Sequence, residues 1–194
     1  MVYEGPLRDE RLAIELHNTI YASKRGGVDA LADPAKARAW LEALAPRLHA
    51  GGWLLPAGPW PTTAELVAVR DVVRPALQAA AAGERPRRAA IDALNQVSRR
   101  APRAPIAVWR PGEQPSRGTD FGDATRADVV LAAVAADAID LLCGPHRDEL
   151  RTCGAPRCVL MFLKDHPRRE WCSDSCGNRA RQARHYERTR RVAP

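Results

Sequence analysis

The chain has 194 residues, 45% of them hydrophobic, with 30 Lys and Arg against 23 Asp and Glu for a net charge of +7. That length holds one hydrophobic core plus a small appended module, and no apolar run approaches the roughly 20 residues that cross a bilayer, which argues against a helical membrane protein. The opening Met1-Val-Tyr-Glu-Gly-Pro has none of the features of a secretory signal, so a cytoplasmic chain with reduced thiols is expected.

Residues 9–22 read as a helix whose Leu12, Ala13, Leu16 and Ile20 face inward, leaving Arg11 and Glu15 toward water. His17, Asn18 and Thr19 fall near its end. They read first as polar groups closing the helix against a loop, with a ligand pocket as the alternative. Lys24-Arg-Gly-Gly27 is a loop. Asp33-Pro34 places a cap before a proline at the first helical position; Ala37, Trp40, Leu41, Leu44 and Leu48 form the stripe of that helix, which Pro46 ends or kinks.

Gly and Pro punctuate residues 51–60 too densely for a helix, so Trp53 and Trp60 should cover the core from a loop or short strand. Thr62 and Glu65 form a capping box for a helix bearing Leu66, Val69, Val73 and Leu77, bent at Pro75 and closed by Gly83. Pro86 to Ser98 gives another helix, with Ala90, Ile91, Leu94 and Val97 inward. Ala104 to Arg110 is a strand; Pro111 to Gly122 is either a ragged second strand or a loop. Thr125 to Leu142 is the longest helix, with an inward face of Ala127, Val130, Leu131, Val134, Ala138 and Leu141 and a stop at Gly144-Pro145. Residues 1–146 therefore form a helical domain with a small β element.

Residues 147–194 are organised by Cys153-Gly-Ala-Pro-Arg-Cys158 and Cys172-Ser-Asp-Ser-Cys176. Two close thiol pairs supply the corners of one tetrahedral Zn²⁺ site, which is structural because four sulfurs leave no open position for water. Gly154 and Pro156 suit the first knuckle, Gly154 by permitting positive φ. Val159–Leu163 and Arg169–Cys172, flanking a turn-rich tip, are expected to pair as a hairpin, and Ser173 to cap a helix. The fold class is α+β, mainly α: a helical domain followed by a treble-clef-like zinc finger of knuckle, β-hairpin and helix. Cys143 reads as a small buried hydrophobe. His166 and His185 are spare, although spacing alone leaves a Cys₃His site open.

The run Cys176-Gly177-Asn178-Arg179 after Cys172, with the earlier Cys153/Cys158 pair, resembles the CGNR zinc finger of bacterial proteins that carry an N-terminal ABATE domain. Leu12-Ala-Ile-Glu-Leu-His-Asn18-Thr19 and Ala138-Ile-Asp-Leu-Leu142 are similar to that family's N-terminal domain. The resemblance implies a stress-induced transcription regulator.

Residues 151–194 carry 11 of the basic and 4 of the acidic side chains, so the whole excess of +7 lies there. That footprint points to an anionic partner, DNA foremost. On a helix after Cys176, Arg181, Arg184 and Arg188 share a face, suited to a major groove, with Arg179, Arg190 and Arg191 adding phosphate contacts. Gly177 should avoid a clash beside the metal. Asn178 either hydrogen-bonds the knuckle or reaches a base, and Arg179 either grips phosphate or pairs with an acid of the larger domain. The leading reading is a zinc-dependent DNA-binding regulator whose larger domain senses an effector or binds a protein partner. The alternative is a zinc-stapled protein-interaction or RNA-binding module. No carboxylate pair, nucleophile triad, phosphate loop or open metal site suggests an enzyme.

Overall fold

The computed structural model describes residues 3–23 and 25–192. Its helices are α1 (Leu12–His17), α2 (Pro34–Ala50), α3 (Thr63–Ala81), α4 (Arg88–Ser98), α5 (Arg126–Cys143) and α6 (Asp174–Val192). Its strands are β1 (Ile20–Ser23), β2 (Gly26–Asp29), β3 (Ala104–Val108), β4 (Ser116–Asp120), β5 (Leu150–Thr152) and β6 (Met161–Leu163), paired in order into three separate antiparallel hairpins.

The core forms around α5. Val129 to Ala135 are all buried there, as expected of a helix that is apolar on every side, and α1, α3 and α4 pack around it. Thr125 caps α5 in a box with Asp128, and Thr62 caps α3 with Glu65. Asp33 accepts from the amides of Ala35 and Lys36 to start α2, whose stripe of Ala37, Trp40, Leu41, Leu44 and Leu48 is buried as the spacing implies. Trp53 is buried against Phe121, and Trp60 lies between the guanidiniums of Arg38 and Arg126.

Several expectations are corrected. The first helix spans only Leu12–His17, because Thr19 turns both its amide and its hydroxyl onto the Leu16 carbonyl and the chain leaves as β1. Of the loop expected at residues 24–27, Arg25 to Gly27 belong to the β1–β2 hairpin, with Gly26 at φ +122°, and Lys24 lies outside the described residues. Glu15, expected in water, is fully buried and paired with Arg47, while Arg11 pairs with Asp137 of α5. Helix α2 continues through Pro46 to Ala50, since a proline near the end forfeits one backbone bond only. Of the two readings of residues 111–122, the strand is found: Ser116–Asp120 pairs in register with Ala104–Val108.

In the last quarter, β6 pairs with β5 across the first knuckle, and not with Arg169–Cys172. The reason is polar: Arg169 spends its guanidinium on the Leu163 carbonyl and on Glu10, which draws the 164–172 segment against the larger domain instead of into a ladder.

Candidate metal centre and basic helix

The first knuckle is closed by two backbone bonds, Cys153 N–H to the Leu160 carbonyl at 2.9 Å and Cys158 N–H to the Ala155 carbonyl at 3.0 Å. The left-handed residue in it is Arg157, at φ 62°, and not Gly154. Cys172 lies just before α6 and Cys176 on its first turn, where the Ser173 hydroxyl accepts from the Cys176 amide and the Ser173 carbonyl from Gly177. The four ligating atoms of Cys153, Cys158, Cys172 and Cys176 lie within 4.8 Å of one another. Cys172 and Cys176 sulfurs are 3.4 Å apart, and Cys158 stands 3.8 Å from each. A tetrahedron with sulfurs at about 2.3 Å from zinc has edges of about 3.8 Å. The thiol set fits one Zn²⁺.

Hydrogen bonds from Cys158, then Cys172, hold the Cys153 thiol far below its usual range, and the same contact with Cys153 pushes Cys158 up to about 11 and Cys172 higher still. A bound Zn²⁺ would displace the thiol protons and hold all four sulfurs as thiolates. Leu160, Phe162, Ala155 and Ala180 wrap the cluster.

Trp171 lies across the site. A Cβ on Gly177 would stand 2.9 Å from its Cδ1, so the glycine leaves room for the indole beside the cluster. Arg184 stacks on the same ring at 5.5 Å. Arg179 donates to the Cys176 sulfur at 3.0 Å, a hydrogen bond that steadies a thiolate and differs from both roles expected for it. The Asn178 side chain is exposed and accepts from Arg181 at 2.5 Å, so it bonds neighbouring helix rather than knuckle. His166 accepts from the Arg168 amide, and His185 packs edge-on to Tyr186; the clustered ligand set holds neither. Cys143 is exposed, contrary to expectation.

Along α6, Arg181, Arg184, Arg188 and Arg190 are exposed, and the Arg191 side chain lies outside the described residues. Arg181, Arg184 and Arg188 line one shallow groove of about 690 Å³ with Gln182, His185 and Glu187.

His17, Asn18 and Thr19 are buried where α1, α3 and the finger meet. Asn18 donates to the Met161 carbonyl of β6 at 3.0 Å and accepts from the Met161 amide at 2.9 Å. Thr19 accepts from Arg70, which also grips Asp29, and the His17 carbonyl accepts from Arg74. Burial first, and Arg74 second, lower the His17 pKa to about 4, and its Nε2 has no partner among the described residues. These groups form a polar joint. Sequence reasoning missed Glu10, whose carboxylate accepts from the Leu163 amide and from Arg169 of the finger; its only sequence signal was an acid beside a helix start.

Residues 10–145 match the family described as "ABATE: Putative stress-induced transcription regulator". The chain belongs to the ABATE family. Residues 149–189 of this ABATE protein match the CGNR zinc finger family, in the order the motifs implied. Neither is an enzyme family. No curated protein matches the chain. Among the described residues no helix is long and apolar enough to cross a membrane.

Proposed function

We propose that this ABATE protein is a zinc-dependent, duplex-DNA-binding transcription regulator acting in the cytoplasm, with residues 147–194 as the reader and residues 1–146 as the sensing or partner-binding unit. The observation that carries the reading is the exposed arginine face of α6, rooted at its N-terminus in the four-cysteine cluster. The knuckle joins β5 to β6 and α6 follows, a treble-clef-like layout that presents its helix on a metal-braced base. A helix about 10–12 Å across suits the DNA major groove. Because Arg184 is stacked on Trp171 and Arg179 is spent on a sulfur, base and phosphate contacts fall chiefly to Arg181, Arg188 and Arg190. A cleft of about 690 Å³ between α1, α5 and the finger tip, lined by Arg11, Arg103, Asp137, Asp140 and Asp165, supports the effector role of the larger domain.

The test is selection of duplexes by the zinc-loaded protein at two salt concentrations, with Arg181, Arg188 and Arg190 together changed to Ala as control. A recurrent motif that survives higher salt and vanishes in the variant supports the reading. Weak binding erased by salt would instead support the interaction or RNA-binding module.

A further inference from the structure

The turn at residues 8–10 is built around a buried carboxylate. Glu15, fully buried, accepts from the Arg8 amide at 3.0 Å, from the Glu10 amide at 2.9 Å and from Arg47 at 3.1 Å. Between the two amides Asp9 is held at φ 54°, in the left-handed region. This fixes two side chains in opposite senses. Glu10 turns inward to the finger's Leu163 amide and Arg169, and Arg8 is left exposed on the seam between larger domain and finger.

Besides the cleft between α1, α5 and the finger tip, Arg8 lines two adjoining grooves on that seam. One, of about 540 Å³, also holds Arg168 of the finger tip and Arg181 of α6; the other, of about 460 Å³, holds Arg157 of the knuckle and Arg179. Among the described residues, Arg8, Arg157, Arg168 and Arg181 have no carboxylate within ion-pair distance, whereas neighbouring Arg169 is neutralised by Glu10 and Asp165. Glu4, Glu170 and Asp174 are the acids on these walls, so cations predominate. A single small anion needs one such cradle. Two in succession, with one arginine shared between them, match the repeating charge of a phosphodiester chain.

We infer that Arg8, supplied by the larger domain, is a DNA-backbone contact that joins Arg157 and Arg168 to the arginines of α6 in one phosphate track, so that the nucleic-acid surface is composite and not confined to the finger. This rests on the DNA-binding reading above. Its consequence is mechanistic: anything that shifts the Glu15-anchored turn relative to the finger breaks the track, which would let the state of the larger domain set DNA affinity.

The experiment is fluorescence anisotropy of the zinc-loaded 194-residue protein on a random-sequence duplex over a salt titration. Arg8→Ala, Arg8→Lys, Arg168→Ala and Arg88→Ala are compared, with Arg88 an exposed cation of α4 paired to Asp92. The fold should tolerate Arg8→Ala, since only the backbone of Arg8 bonds Glu15; zinc content and circular dichroism check that. Arg8→Ala and Arg168→Ala should each weaken binding by about fivefold to tenfold near 0.1 M salt and flatten the salt slope by about one contact. Arg8→Lys should keep the slope and Arg88→Ala should match wild type. Wild-type affinity in Arg8→Ala, or an equal loss in Arg88→Ala, overturns the track while leaving the finger as reader. Absence of duplex binding by the wild type overturns the DNA reading itself.

Discussion

Asn18 and Met161, 143 residues apart, meet as if they were paired strands: the Asn18 amide accepts from the Met161 N–H and donates to the Met161 carbonyl. One side chain of the larger domain thus completes the outer edge of the finger's β6. The bonds are fully buried, and they join two modules that also share Leu150 and Met161 in one core.

Changing Asn18 to Leu is expected to leave both Met161 groups buried without partners. Each such group costs about 1–3 kcal/mol, so urea unfolding should show a loss of about 2–6 kcal/mol, and limited proteolysis should cut the finger first. Wild-type stability and protease resistance in the variant would show that the joint is dispensable.

Gly177→Ala and Gly154→Ala should part company. The Gly177 methyl would stand 2.9 Å from Trp171, forcing the indole off the metal cluster, whereas the Gly154 methyl would meet the ring at an ordinary 3.4 Å. The first should cost about 1–3 kcal/mol and hasten zinc transfer to a chelator. The second, at an exposed position, should stay within about 0.5 kcal/mol of wild type. Equal chelation rates for the two would count against Trp171 as the lid of the site.

The helices were legible because caps and apolar stripes are local signals. Thr62 with Glu65, Asp33 with Pro34 and the run of α5 each carry their own start and face. The cysteine spacing identified the metal cluster for the same reason. What spacing could not show was which polar residues are taken up by distant partners. Glu15 occupied a water-facing position by helical period, yet amides of its own preceding turn and Arg47 of α2 bury it. The finger's strand pairing was misassigned because Arg169 is held by Glu10, 159 residues away, and that contact overrides the local hairpin pattern. The bond of Arg179 to sulfur and the stack of Arg184 on Trp171 have no local signal, since both arise only once the finger folds.

Removing zinc should unfold the finger without dissolving the larger domain. Structural sites contribute apparent binding energies on the order of 10–16 kcal/mol, and little apart from the small cluster around Leu160 and Phe162 replaces them. Cys172→Ser, or chelation of the wild type, should abolish stoichiometric zinc and reduce helical circular dichroism by the share of α6. A cooperative transition should persist, at lower temperature because Met161 no longer fills the main core. Full zinc content in Cys172→Ser would remove that residue from the ligand set.

His17 gives the chain a pH dependence of defined sign. Its folded pKa is lowered to about 4 by burial and by Arg74, against about 6.5 when unfolded. Between these values the unfolded chain binds the proton and the folded one does not, so stability is complete above about pH 6.5 and falls as pH drops toward 4. The full penalty is about 3 kcal/mol. Burial raises the pKa of Glu10, Glu15 and Asp137, and those groups work the other way: each favours the folded state as pH falls. The His17 contribution is therefore read as a difference, by urea unfolding of wild type and His17→Gln at intervals from pH 4 to 7. The wild type should lose about 3 kcal/mol more than the variant across that window; parallel curves would mean that His17 is protonated in the folded protein, with a partner for its Nε2.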